Sequence, residues 1–414
     1  MKVVVVGGGI TGVSVAEWLR RDGHDVTIVD RVHPGDVTQS SYGNCGIVGR
    51  NSVVPVSTPG LFLQAPGMLR NPDTLLFLRW RYLPQLIPWL VRFLWNGRRE
   101  KVYQIAKDLS SLVQDSNEQH FALAAGTAAE RFLQRGTYVT LFRAREEFAR
   151  NTFSNELRKK HGAVWEEWDR MAIDAYDPAI SGAYIFATAM RDYVFVTSPS
   201  KYVTALADHF RQSGGNILCN EAVDIRQLKQ SKAVVELTDG RRLETDRVVL
   251  AAGVWSGRFA SRLGHQAAME SERGYHLMLR GASHMPPAVL NVPDTGLGVC
   301  PMEEGLCFGG AVDFGGVDGV PNERVFDAIR RQIRRVYPDL TWEGETKWMG
   351  QRPSTIDSLP LLGPSPKAPS IYFAFGGQHI GLTMGPRIGR TVADLISGKQ
   401  TDINISPYRV NRFD

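Results

Sequence analysis

An α/β fold in two interleaved domains is the class this sequence predicts, and three observations predict it. A β-branched run, Val3 to Val6, meets a cluster of glycines and then a helical stretch. The middle of the chain changes to apolar spacings of three and four, and short alternating runs flanked by glycine follow it. At 414 residues the chain exceeds what one hydrophobic core usually organises, which favours two domains.

Val3 to Val6 reads as a strand buried on both faces, and the glycines open a helix from about Val13 to Arg21. A second strand, Val26 to Val29, ends in Asp30, completing a Rossmann-like strand–helix–strand unit of about 30 residues. From about Asp73 to Phe148 the spacing of Leu109, Leu112, Val113 and Phe121 is helical, so a second domain begins there, with Gly136 to Phe142 returning as a strand. A helix at Lys201 to Gly214, a strand at Asn216 to Cys219, a hairpin at Val234 to Leu243 around Asp239-Gly240 and a buried run at Val248 to Ala252 lead back to the first domain. Tyr275 to Leu279, Gly296 to Pro301 and Leu306 to Gly310 are expected as antiparallel strands walling a cavity, closed by a helix at Glu323 to Tyr337. The strand Ile371 to Phe375, a glycine-rich loop and a terminal helix at Gly389 to Ser397 finish the chain.

Composition narrows the function classes. The formal charge of +5 comes without a dense Lys/Arg stripe, which argues against nucleic acid as a partner. Cys45, Cys219, Cys300 and Cys307 are too widely spaced for a CxxC site, and no His cluster completes a metal set; reduced, mostly buried thiols and no metal are expected. Lys2 alone precedes the first strand, so no secretory signal is expected and the cytoplasm is the predicted compartment. The most apolar segment, Tyr82 to Trp95, is interrupted by Pro84, Pro88 and Arg92, so no membrane span is expected.

Gly7, Gly9 and Gly12 satisfy GxGxxG, with Ile10 and Thr11 between the last two. The first glycine permits a tight turn, the second lets backbone approach a pyrophosphate, and the third lets helix and strand pack closely. The helix N-terminus then offers free N–H groups to the anion. Asp30, about 18 residues on at a strand end with Arg31 beside it, suits the ribose hydroxyls. The return of the chain to this site in its middle and at its end supplies extra walls, which an isoalloxazine needs and a nicotinamide does not. FAD is therefore expected.

The glycine loop with Asp30, the segment Ser40-Ser41-Tyr42-Gly43-Asn44-Cys45-Gly46, the run Ala251-Ala252-Gly253-Val254-Trp255-Ser256 and the loop from Gly376 to Gly385 stand in the order found in one flavoprotein group. The sequence resembles the D-amino-acid dehydrogenase/glycine oxidase (DAO) family, nearest to bacterial D-amino-acid or D-(hydroxy)proline dehydrogenases. The resemblance implies a glutathione-reductase-like FAD-binding domain from residues 1–65, 196–265 and 346–414. A discontinuous α+β substrate domain on an antiparallel sheet takes 66–195 and 266–345. It further implies that Ser40 and Ser41 lie near the pyrophosphate and ribityl chain, Asn44, Cys45 and Gly46 near the flavin, Val223 near the adenine, and Ala252, Gly253 and Trp255 along the cofactor. Gly350, Gly377, His379, Ile380, Gly381, Leu382 and Thr383 complete the expected cofactor set. The sequence departs from the dehydrogenases in having Gly376-Gly377-Gln378-His379 where Gly-His is common, and no cysteine matches the position of covalent flavin in sarcosine-oxidase-like relatives. Noncovalent FAD is expected.

Gly350-Gln351-Arg352-Pro353-Ser354 resembles the family segment whose arginine binds the substrate carboxylate, a task that suits the paired donors of a guanidinium. A surface or interdomain ion pair is the alternative for Arg352. Arg273-Gly274-Tyr275-His276 resembles the strand that sets a tyrosine over the flavin, so Tyr275 is either a carboxylate contact or a core tyrosine. His379 is either a substrate contact and proton acceptor or a structural histidine. The expected reaction is hydride transfer from the α-carbon of a small amino or imino acid to flavin N5. The alternatives are oxidation of N-methyl amino acids such as sarcosine and an FAD-carrying electron-transfer subunit. The aromatic and basic segment from Tyr82 to Lys101 is either a helix packed over the cavity or a peripheral contact on the inner membrane face, which would imply a quinone or respiratory acceptor. Oligomeric assembly is left open.

Overall fold

The computed structural model describes every residue except 64–66, 68–70, 72, 73 and 230. The expected domain boundary at 65/66 and the expected helical start at Asp73 lie outside the described residues. A six-stranded sheet runs in the order Leu361–Pro364, Ile371–Phe375, Arg247–Leu250, Lys2–Val6, Asp25–Asp30, Asn216–Cys219, parallel except at its first strand. Lys2–Val6 is central, and Val3 to Val6 are buried as a strand covered on both faces requires. The hairpin around Asp239-Gly240 forms with Ala233–Leu237 and Arg242–Thr245, its turn held by Gly240 at φ +85°.

The first helix, Ile10–Arg21, lies against the terminal helix, Gly381–Ile396. That terminal helix begins eight residues before the expected Gly389. Gly381, Gly385 and Gly389 are four apart and form a helix face, although such glycines read as loop punctuation. A Cβ at Gly389 would lie 2.5 Å from Ser14 Cβ, so this face lets the two helices approach. Pro386 inside the helix cannot donate to Leu382 O, and His120 Nε2 bonds that carbonyl instead at 3.0 Å.

The second sheet runs Gly344–Thr355, Met269–Arg280, Gly305–Phe314, Leu297–Met302, Leu290–Val292, Leu133–Phe142, Phe186–Val196, Ile47–Val48. Its pairings are antiparallel except between Leu290–Val292 and Leu133–Phe142 and at the short side strand Leu76–Leu78. The expected boundary at 346 falls inside Gly344–Thr355, so the segment carrying Arg352 belongs to this antiparallel sheet. The helix Leu83–Asn96 buries Leu86, Trp89 and Phe93 and exposes Ile87, Val91 and Trp95. No helix among the described residues is long and apolar enough to cross a membrane, and no group of metal-ligating side chains occurs among them.

Candidate active site

One cavity of about 710 Å³ runs between the two sheets, from Asp30 at one end past His379 to the face of the antiparallel sheet. At the nucleotide end Gly7, Gly9, Ile10, Thr11, Asp30 and Arg31 line it. Asp30 Oδ2 accepts the Gly8 N–H at 2.6 Å and Gln39 Nε2 at 3.1 Å, while burial raises its carboxyl above the ordinary range. Arg31 stacks on Trp255 at 4.5 Å, closing the end where Ala252, Gly253, Glu221, Ala222 and Arg258 also line the wall. Val223 is not in that lining; it is half-exposed, and its carbonyl accepts from Arg262. Gly12 is also outside the lining and serves packing, since a Cβ there would lie 1.9 Å from Gly7 O.

Ser40 and Ser41 line the middle of the cavity, where Ser41 Oγ accepts the Ile10 N–H at 2.9 Å and Ser40 Oγ donates to Gln351 O at 2.5 Å. Asn44 and Cys45 follow. Asn44 Oδ1 accepts the Gly46 N–H at 2.9 Å, and Gly46, turned at φ +71°, sits behind the lining against Val196 O. Cys307 Sγ lies 3.5 Å from Cys45 Sγ and, together with Arg352, favours the Cys45 thiolate. Gly350 is outside the lining, and a Cβ there would lie 2.1 Å from the Trp348 ring, so its smallness admits Trp348. Trp348, which the sequence reading missed, lines the cavity, stacks on His276 at 5.3 Å and donates to Val37 O at 2.7 Å.

At the reacting end Gly377, His379, Ile380, Gly381, Leu382 and Thr383 line the cavity beside Arg352. The first N–H groups of the helix Gly381–Ile396 face this end, giving it a positive dipole terminus. Thr383 Oγ1 accepts from Gly49 N at 3.0 Å and so ties the helix to the Asn44 loop. His379 has accessible surface, yet burial by surrounding protein lowers its pKa; the two observations agree because its surface faces the cavity. Glu272 opposes that shift and Arg352 reinforces it.

Arg352 Nη1 donates to Glu272 Oε1 at 3.1 Å, and Ser354 Oγ donates to Glu272 Oε2 at 2.9 Å. Glu272 and Arg352 are direct partners across antiparallel strands, and the guanidinium lies over Gly274, where a Cβ would be 2.4 Å from Nε. Arg352 Nε and Nη2 make no hydrogen bond among the described residues. Glu272 was missed because its role depends on strand register, which no local motif reveals. Tyr275 reaches the cavity lining, but its hydroxyl turns away, donating to Asp313 Oδ2 at 3.0 Å and accepting from Asn322 N at 3.1 Å. It is 1% exposed and packs edge-on against Phe326, so the core-tyrosine alternative describes it.

The cavity also offers a test of whether a flavin nucleotide fits. Glycine backbone and a helix N-terminus meet at its nucleotide end, and Gln378 Nε2, in its wall, is buried without a hydrogen-bond partner. A long heteroaromatic nucleotide with a polar ring edge suits both features. A mostly parallel nucleotide-binding sheet and a mostly antiparallel sheet sharing one such cavity define a flavoprotein oxidoreductase, and the chain belongs to the DAO family, FAD dependent oxidoreductase, matched over residues 2–395. FAD is its cofactor.

Among its relatives is a D-amino-acid oxidase of Bradyrhizobium diazoefficiens, 32% identical over 416 residues, covering 99% of this chain and 98% of that protein. A D-amino acid dehydrogenase of the same organism is 27% identical, covering 100% and 99%. The fold is that of the glycine oxidase of Geobacillus kaustophilus, with a TM-score of 0.73, 22% identity and coverage of 99% and 98%.

Proposed function

We propose that this protein dehydrogenates the α-carbon–nitrogen bond of a small amino or imino acid of the D-amino-acid, D-proline or D-hydroxyproline type. The observation that carries the reading is Arg352, fixed by Glu272 on one side and keeping Nε and Nη2 for a ligand in the cavity that also holds the nucleotide cleft. Those two donors suit a substrate carboxylate. His379, held neutral at neutral pH by its lowered pKa, accepts a proton from the substrate ammonium, freeing the nitrogen lone pair. FAD, when bound, would supply the two-electron oxidation of the α-carbon–nitrogen bond. Glu272, Ser354 and Gly274 keep the guanidinium in one orientation, and the surrounding protein excludes water. Gln378 Nε2 and the first N–H groups of the helix Gly381–Ile396 would hold the polar edge of the flavin ring. The flavin is bound noncovalently in this reading; of the cysteines Cys45 alone lines the cavity, and its Sγ lies 3.5 Å from Cys307 Sγ.

The reading predicts that Arg352→Ala retains FAD while kcat/KM falls by about 100-fold, the scale of a lost charge-assisted hydrogen bond, and that Arg352→Lys recovers little of it. Steady-state kinetics on flavin-loaded variants measure this, and an unchanged kcat/KM in Arg352→Ala removes Arg352 from the site. A second reading, a dehydrogenase resting on the membrane and passing electrons to a quinone, is favoured by the exposed row Ile87, Val91 and Trp95 beside Arg92 and Arg98.

A further inference from the structure

The cavity continues past Arg352 and His379 along the antiparallel sheet, over Gly298 and Gly309, to Tyr138, Tyr193 and Arg158. We infer that this far part is a side-chain subsite in which Arg158 binds a second carboxylate, so that the preferred substrate is an amino acid whose side chain is several carbons long and ends in an anion. The inference rests on the proposed amino-acid oxidation and names its substrate class.

The charges in the lining carry the argument. The carboxylates that line the cavity, Asp30 and Glu221, both stand at the nucleotide end, where Asp30 accepts the Gly8 N–H and Glu221 pairs with Arg258. The remaining part presents Arg352 and Arg158. Arg352 already has Glu272 as a partner, so a substrate whose one carboxylate sits on Arg352 leaves Arg158 uncompensated in a partly buried place.

Arg158 reaches Asn155 Oδ1 at 3.4 Å and no carboxylate among the described residues, and unlike Arg150, Lys159 and Lys160, which also have no carboxylate partner there, it lines the cavity. It is half-buried on the helix Thr152–Lys160 and close enough to Tyr138 and Tyr193 to act on the ionisation of both.

The lining between the two guanidiniums suits a methylene chain. Tyr138 and Tyr193 stack at 4.8 Å and form an apolar wall, and Cys45, whose Sγ covers Gly309, and Ile47, over Gly298, continue the lining. Burial raises the Tyr138 pKa, so its hydroxyl stays a donor, and that hydroxyl makes no hydrogen bond among the described residues. From the strand of Arg352 to that of Tyr138 the sheet order takes five steps, roughly 24 Å at about 4.8 Å per step, which the Arg352 side chain shortens from one end, while Arg158 reaches the cavity from the helix Thr152–Lys160. Aspartate is too short for such a span, and longer diacids suit it better.

The test measures kcat/KM of the FAD-loaded enzyme for both enantiomers of 2-aminoadipate and glutamate against their neutral counterparts norleucine and norvaline. The expected result is a preference of about 10- to 100-fold for the acidic member of each pair, the range of a charge-assisted hydrogen bond, falling towards unity in Arg158→Leu and partly restored in Arg158→Lys. Glutarate should perturb the flavin absorbance of the wild-type holoenzyme at lower concentration than butyrate does, and this difference should vanish in Arg158→Leu. Should Arg158→Leu lose its flavin, Arg158→Gln replaces it. Equal turnover of acidic and neutral amino acids by the wild type, or an acidic preference that survives in the variants, overturns the inference and leaves the proposed function standing. No turnover of any amino acid overturns both.

Discussion

Gly7, Gly9 and Gly12 are equivalent letters in a motif, and their surroundings separate them. A Cβ at Gly7 would lie 2.3 Å from Ala251 O and one at Gly12 1.9 Å from Gly7 O, whereas at Gly9 the nearest atom is Ser41 Oγ at 3.3 Å. Gly9 therefore faces the space that the pyrophosphate needs, while Gly7 lies against Ala251 just past the end of the neighbouring strand and Gly12 packs the helix onto the Gly7 turn. Gly9→Val should fold with a near-wild-type melting temperature and carry little FAD; Gly12→Val should melt markedly lower. The flavin-to-protein absorbance ratio and circular dichroism measure the two effects, and full flavin occupancy in folded Gly9→Val contradicts the assignment. At this scale a motif that set both residue and backbone made position legible: Asp30 and Arg352 both line the cavity. It was silent on Glu272, Trp348 and Gln378, whose roles come from neighbours distant in the chain. For Tyr275 it left two roles open, because strand alternation does not tell which of two carboxylate-bearing surroundings a hydroxyl meets.

Elements show a different limit. The strands Asn216–Cys219 and Ile371–Phe375 match their expected spans because each is a short apolar run with clear punctuation. The terminal helix was legible only in its second half, since its first half contains Gly381, Gly385 and Pro386, residues that break helices when nothing packs against them. His120 supplies what the helix lacks: Nε2 bonds Leu382 O and Nδ1 lies 2.9 Å from the Tyr202 hydroxyl. Burial lowers its pKa from 6.5 to about 4. The unfolded chain takes up a proton at this histidine between those values and the folded chain does not. The contribution to stability is therefore complete above pH 6.5 and lost as pH falls towards 4. His120→Gln, which keeps a donor and an acceptor but cannot titrate, should show a smaller fall in melting temperature across that interval. Identical pH dependence in the two proteins contradicts this role.

For the whole molecule, the change of apolar periodicity along the chain and its return marked segments that pair out of chain order. The place of Gly344–Thr355 was not legible, because it follows from pairing with Met269–Arg280. The helix Leu83–Asn96 connects the active-site sheet to the surface. Trp89 on its inner face stacks with Phe93 at 4.6 Å and donates to Ser354 O at 3.1 Å, while Trp95 is 62% exposed with Arg98 over its ring. In the membrane reading, Val91→Ser/Trp95→Ser weakens binding to vesicles containing anionic phosphatidylserine without lowering stability, whereas Trp89→Ser costs about 3 kcal/mol or more of stability. Cosedimentation of wild-type protein and variants checks this, and equal binding by Val91→Ser/Trp95→Ser contradicts it. The central claim is that the two sheets close one cavity in which an amino or imino acid gives its α-hydrogen to FAD. An anaerobic titration of the purified holoenzyme with D- and L-amino acids, including proline, hydroxyproline and sarcosine, tests it most directly. The account predicts loss of the oxidised-flavin absorbance with one equivalent of a D-amino or D-imino acid and release of the corresponding imino or keto product; an oxidised flavin spectrum that no member of the panel changes contradicts it.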